Sequence, residues 1–88
     1  MTVIITGANS GIGKETAKAL AKLGWRVVMV CRNPQKGEVA RQEIIKYSGN
    51  SNIDLLIADL SSLSDIKHLG DKLKSRYGSI DVLINNAG

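Results

Sequence analysis

The stretch Thr6-Gly7-Ala8-Asn9-Ser10-Gly11-Ile12-Gly13-Lys14 joins an apolar run, Val3-Ile4-Ile5, to a segment with apolar residues at helical spacing: Ile12, Ala17, Leu20, Ala21 and Leu23. A glycine-rich turn from a buried strand into a helix suits phosphate. The first N–H groups of a helix have no partner within it, and they carry the positive end of its dipole. Two nucleotide loops come near this spacing. A P-loop needs G-x-x-x-x-G-K-[ST]. With Gly13-Lys14 as the GK pair, Ala8 stands at the first glycine and Glu15 replaces the metal-binding hydroxyl. A carboxylate in that position would repel phosphates. The dinucleotide form G-x-G-x-x-G begins with Gly11-Ile12-Gly13 but has Thr16 at its third glycine. The spacing present is Thr-Gly-x-x-x-Gly-x-Gly, and it keeps the dinucleotide loop's logic. Gly7 turns the chain out of the strand, Gly11 lets backbone approach a pyrophosphate, and Gly13 lets the helix pack closely.

Outward from this loop, apolar runs alternate with amphipathic ones. Helical spacing spans Gly11 to Leu23 and stops at Gly24. Val27-Val28-Met29-Val30 reads as a second strand, followed by a turn at Asn33-Pro34 and a helix from Lys36 to Ser48 with Ala40, Ile44 and Tyr47 on one face. After the loop Gly49-Asn50-Ser51-Asn52, a third strand runs from Ile53 to Ala58. Leu63, Ile66, Leu69, Gly70, Leu73 and Tyr77 form a helical stripe, with Ser62 as its cap and Gly78 as its end. Ile80 to Ile84 is a fourth strand. Strands apolar on both faces, separated by helices, imply a parallel sheet covered on both sides. The expected fold is α/β: a Rossmann-type doubly wound sheet cut to βαβαβαβ, strand order 3-2-1-4, as one domain over residues 1–88.

The end of the second strand discriminates between cofactors. An NAD site wants Asp or Glu there, to accept from the ribose hydroxyls. This chain has Cys31 and then Arg32, with no acid before Glu38. A guanidinium fork at that point favours the extra 2′-phosphate of NADP(H) over NAD. Ser10 brings no second cation to the glycine loop, where only Lys14 is nearby.

Composition narrows the alternatives. The 88 residues carry a net charge of +4. The basic residues are scattered, often beside acids as in Lys14-Glu15 and Asp71-Lys72, so they form a solvated surface and no nucleic-acid stripe. Cys31 is the only cysteine, which excludes an intrachain disulfide and reads as a buried, inert thiol. No apolar run approaches the roughly 20 residues needed to span a bilayer, and the N-terminus lacks a signal-peptide pattern. No metal-binding constellation is expected. Trp25, Tyr47 and Tyr77 are the only aromatic residues, so the core must be aliphatic.

Three motifs in order now resemble the short-chain dehydrogenase/reductase family. They are the Thr6–Gly13 loop, Asp59-Leu60 at the end of the third strand, and Asn85-Asn86-Ala87-Gly88 at the end of the fourth. The stretches CRNPQKGEVARQEI, from Cys31, and ADLSSLSDI, from Ala58, further resemble its retinol-dehydrogenase-like branch. The resemblance covers the whole chain but only the N-terminal part of the family's domain. It implies an oxidoreductase passing hydride between a nicotinamide and a carbonyl or alcohol carbon, with a retinoid, steroid or other lipid as the branch-level substrate. Carried over, it puts Gly7, Ser10, Gly11, Ile12 and Gly13 around the pyrophosphate and Arg32 at the 2′-phosphate. Asp59 and Leu60 fall at the adenine, and Asn85 and Ala87 along the ribose. The branch generally prefers NADP(H), in agreement with Arg32.

The family's Tyr-x-x-x-Lys pair has no counterpart here. Ser51 follows Tyr47 by four residues and Asp81 follows Tyr77 by four. Both tyrosines read as core, and His68 lies off its helix's apolar stripe. No catalytic residue is therefore expected in this chain, which should bind nucleotide without turning over. The alternative is a non-catalytic nucleotide-binding or interaction module derived from the same fold. Either way, the fourth strand would be an apolar edge prone to self-association. A cytoplasmic location is expected, with attachment to the endoplasmic reticulum membrane as the branch's alternative.

Overall fold

Seven elements alternate strand and helix in a computed structural model that describes residues 1–86: β1 (Thr2–Thr6), α1 (Gly11–Lys22), β2 (Arg26–Cys31), α2 (Pro34–Ser48), β3 (Ile53–Ile57), α3 (Leu63–Arg76) and β4 (Val82–Ile84). The strands form one parallel sheet in the order β3-β2-β1-β4, the doubly wound order expected. Successive strand residues point to opposite faces, so one run of Val and Ile feeds two cores. On one face Val3, Ile5, Val27, Met29 and Ile53 meet Ala17 and Ala21 of α1 and Ala40 and Ile44 of α2. On the other, Ile4, Val28, Val30 and Leu56 meet Leu69 of α3 and Tyr77.

The small residues on α1 and α2 set how closely these helices approach the sheet. Gly37 is buried in α2, and a Cβ there would stand 2.9 Å from Leu55 Cδ1 and 3.4 Å from the Cys31 Cβ. The helix therefore rests its backbone on the C-terminal half of the sheet, which positions its N-terminus beside the glycine loop.

Several expectations from sequence need correction. The turn at Asn33-Pro34 is the start of α2. Asn33 is the N-cap, its side chain accepting from Lys36 N at 3.0 Å, and Pro34 takes the first helical position, where its missing N–H has no cost. Tyr47 is not core: it is 53% exposed, with the Lys18 and Lys22 ammonium groups 5.3 and 5.0 Å from its ring centre. It sits over the outer seam of α1 and α2, beyond the sheet. Ile12 and Leu23 also lie outside the core. The stripe on α3 is buried only in part: Leu69 and Tyr77 are inside, whereas Leu63 is 85% and Ile66 43% exposed. Tyr77 is the helix's extended C-cap, so α3 ends at Arg76, ahead of Gly78. The fourth strand is shorter than expected, leaving Ile80 outside it.

Candidate cofactor-binding site

The C-terminal ends of β1, β2 and β3 open onto a cleft of about 640 Å³. Gly7, Ser10, Gly11 and Ile12 form one wall, Arg32 lies at the end of β2, and Asp59 and Leu60 follow β3. Gly7 leaves β1 at φ 62°, and its N–H donates to the Val30 carbonyl at 2.9 Å, tying the loop to β2. Gly11 opens α1 at φ 58°, a conformation that favours glycine, and a Cβ there would meet nothing within 4 Å. Gly13 is buried behind the loop and does not reach the cleft; a Cβ on it would lie 2.6 Å from the Gly7 carbonyl oxygen and 2.5 Å from Asn86 Nδ2.

The N-terminus of α1 is left with donors to spare. Its N-cap, Ser10, makes no side-chain cap bond, and the first turn carries no acid. Lys14 N donates to the Ser10 carbonyl, so the Gly11, Ile12 and Gly13 N–H groups precede the helix's own bonding. Orphan donors, a positive dipole end and open space over Gly11 fit a dinucleotide's pyrophosphate. Lys14 turns away from this wall and ion-pairs with Glu43 of α2, whose carboxyl is held below its usual range first by that hydrogen bond.

Cys31 and Ala58 floor the cleft. Burial pushes the Cys31 thiol up, and hydrogen bonds from the Ala8 and Asn9 backbone only partly offset it. The thiol is thus an apolar lining group, as its position at a strand end suggested. Arg32 is exposed at the mouth. Asp59 is held ionised by the Ser61 hydroxyl and N–H, which bond its Oδ1 at 2.6 and 3.0 Å, with Arg32 adding a favourable charge. The Asp59 N–H donates to Asp65 Oδ2 at 2.8 Å, so the first turn of α3 fixes the loop carrying Asp59.

Beyond β4, Thr6 locks the last described residues in place. Its hydroxyl donates to Asn85 Oδ1 at 3.0 Å and accepts from Asn86 N at 2.9 Å. Asn85 is exposed and faces this bond, while Asn86 lies on the cleft wall. Ala87 lies outside the described residues. The structure thus gathers seven of the expected residues on one cleft, sets Gly13 and Asn85 behind it, and adds Asn9, Cys31, Ser61 and Asn86. Asn86 and Ser61 adjoin expected residues within the same motifs. A second hollow of about 360 Å³ continues past Asn9 and Ser10 to Gln35 and Lys36 at the start of α2. Nothing in the sequence marked Lys36, because its approach to the glycine loop depends on how α2 is seated.

A parallel sheet in the order β3-β2-β1-β4, with a glycine loop leading from β1 into a helix, defines a Rossmann-like α/β protein. The chain belongs to the short chain dehydrogenase family, which it matches over residues 1–88. It is 42% identical over 87 residues to human dehydrogenase/reductase SDR family member 13, covering 99% of this chain and 23% of that protein. It is 44% identical over 86 residues to human retinol dehydrogenase 11, covering 98% of this chain and 27% of that protein. Among solved structures, actinorhodin polyketide ketoreductase with NADPH superposes with a TM-score of 0.88 at 37% identity, over 99% of this chain and 33% of that one. The chain therefore spans about a quarter of the length of these curated relatives. The family is one of oxidoreductases that use nicotinamide cofactors. No helix among the described residues is long and apolar enough to cross a membrane.

Proposed function

We propose that this chain is the NADP(H)-binding portion of an oxidoreductase acting on a carbonyl or alcohol, with a retinoid, steroid or similar lipid as substrate. The observation that carries the reading is Arg32 at the cleft mouth, with no acid on the chain from Cys31 to Gln35. An NAD site needs an acceptor for the ribose hydroxyls at that point, and here a guanidinium stands ready for a 2′-phosphate. The N-terminus of α2 supports this. Pro34 has no N–H, and Asn33 takes the N–H groups of Lys36 and Gly37, which leaves the Gln35 N–H and the Lys36 ammonium on the same side as Ser10. The N–H groups of Gly11 and Ile12 hold the pyrophosphate, and Asp59 and Leu60 hold the adenine. Asn85 works indirectly, fixing Thr6 and so the chain along the ribose side; for Ala87 the ribose role rests on the family resemblance alone. When bound, the nicotinamide supplies hydride chemistry; this chain's residues bind and orient, and none serves as the acid/base. The retinol dehydrogenase relative supports a lipid alcohol or carbonyl. The chain itself associates through β4.

Calorimetric titration with NADP⁺ and NAD⁺ tests the cofactor assignment. NADP⁺ binds more tightly, and Arg32→Ala lowers its affinity about tenfold or more, toward that of NAD⁺, consistent with loss of a charge-assisted hydrogen bond worth roughly 1.5–3 kcal/mol. Equal affinities in the unaltered chain would overturn the NADP(H) assignment.

A further inference from the structure

At the end of the sheet opposite the cofactor cleft, a depression of about 650 Å³ brings together three arginines from three elements: Arg26 at the start of β2, Arg41 on α2 and Arg76 at the end of α3. Each is held differently. Arg41 Nε donates to the Ile53 carbonyl at 2.7 Å, and its Nη1 bonds the Glu38 carboxylate at 3.1 Å. Arg26 Nε reaches Asn52 Oδ1 at 3.4 Å, and its guanidinium lies 5.5 Å from the centre of the buried Tyr77 ring. Arg76 is exposed and makes no hydrogen bond or ion pair of its side chain among the described residues.

The two acids in the depression offset part of this charge and leave a net excess of positive charge. Glu38 is engaged by Arg41 and by Gln42, whose Nε2 donates at 2.9 Å. Asp54 receives the Tyr77 hydroxyl on Oδ2 at 2.5 Å, while its Oδ1 has no hydrogen-bond donor among the described residues. Three guanidinium groups thus share a concave surface with two carboxylates, of which Glu38 is paired with Arg41, so that Arg26 and Arg76 face Asp54 with an excess of positive charge. Like charges gathered in a concavity raise its potential and attract a counter-ion. Guanidinium forks match the oxygens of phosphate. The free Asp54 oxygen adds a selection, because it accepts a hydrogen bond from an anion that still carries a proton and repels one that carries none.

We infer that this depression is a second anion site, for inorganic phosphate or a small phosphate monoester in a protonated form, with Arg26 and Arg76 as donors and Asp54 as the acceptor that reads the proton. It is independent of the cofactor cleft and stands whether or not NADP(H) binds there.

The test is an amide-resolved NMR titration of the chain with inorganic phosphate and with sulfate, at constant ionic strength near pH 6, where phosphate retains a proton. Phosphate shifts the resonances of Asn52, Asp54, Tyr77 and Gly78 saturably, and sulfate does so at least tenfold more weakly. Arg76→Gln weakens the phosphate response about tenfold, and Arg26→Gln/Arg76→Gln abolishes it. Arg76→Lys retains part of it. Unchanged dispersion of the remaining resonances shows that the variants fold, and shifts at Gly7 to Gly13 report the cofactor loop separately. Equal responses to phosphate and sulfate, a response that does not saturate, or one that survives the double substitution would each overturn the site.

Discussion

Gly11 and Gly13 are separated by one residue, yet they are glycine for different reasons. At Gly13 the constraint is space, since a Cβ would press on the Gly7 carbonyl oxygen at 2.6 Å, a backbone atom that cannot swing aside. At Gly11 the space is open and the constraint is the φ of 58°. Gly13→Ala should therefore displace the loop from α1, costing about 1–3 kcal/mol as overpacking does and removing nucleotide binding. Gly11→Ala pays only for the left-handed backbone, roughly 1–2 kcal/mol, and keeps the loop's position. Urea unfolding at unchanged m-value gives both costs, and nucleotide titration separates the two variants. Similar binding by both would mean that the Gly13 contact relaxes without moving the loop. Lys14 shows why residue type alone does not place a charge. It is the cation nearest the glycines in sequence, but Glu43, on a helix that is remote in sequence, holds it in an ion pair.

Among the elements, α3 carries the sharpest test, because its C-terminal cap is also its deepest anchor. Tyr77 is buried, and its hydroxyl donates to Asp54 on β3. Burial first, and then the Asp54 carboxylate, push the phenol up from 10.0 to about 12. Because the folded state holds this proton more tightly than the unfolded chain does, the stabilisation is complete below the unfolded value. It is lost as pH rises through the folded one. Stability to urea should therefore fall between pH 10 and 12 through this group. Tyr77→Phe should flatten that fall and cost about 1–2 kcal/mol at neutral pH, the range for one hydrogen bond to a charged acceptor that is part-exposed. An unaltered alkaline limb in the variant would assign the fall to other groups. The same helix marks how far periodicity can be read. Its cap was legible, since Ser62 accepts from Asp65 N at 3.2 Å as an S-x-x-D pattern implies. Its apolar stripe was legible as a face, but Leu63 and Ile66 stay exposed because spacing shows which residues align and not what covers them. Tyr47 failed for the converse reason: it aligns with Ala40 and Ile44, yet its length carries it past the sheet to two lysines on α1. The cleft was legible through its glycines, Arg32 and Asp59. The hollow at Lys36 was not, because it exists only once Gly37 lets α2 settle against Leu55.

For the whole molecule, the two sides of the sheet differ in how their edges are protected. At the β3 edge, Arg41 reaches over from α2 and occupies the Ile53 carbonyl, and a charged side chain there discourages a further strand. At the β4 edge no described side chain plays that part. Val82 and Ile84 turn inward against the core shared with α1 and α2, while Leu83 points to the opposite face and is 65% exposed, with Ile80 nearby at 39%. Leu63 and Ile66 add to the exposed apolar surface. A bare strand edge beside uncovered leucine and isoleucine pairs with another chain when concentration allows. Light scattering should therefore show a mass that rises with concentration above that of one 9.4 kDa chain. Leu83→Lys places a charge on that edge at a position already in water, so it should restore the single-chain mass with a stability change of under about 0.5 kcal/mol. An equivalent lysine on the opposite side, Ile57→Lys on β3, should leave association unchanged. Association that survives Leu83→Lys but yields to Ile57→Lys would move the contact to the β3 edge. A single-chain mass at every concentration would show that three residues of β4 are too short a template to recruit a partner.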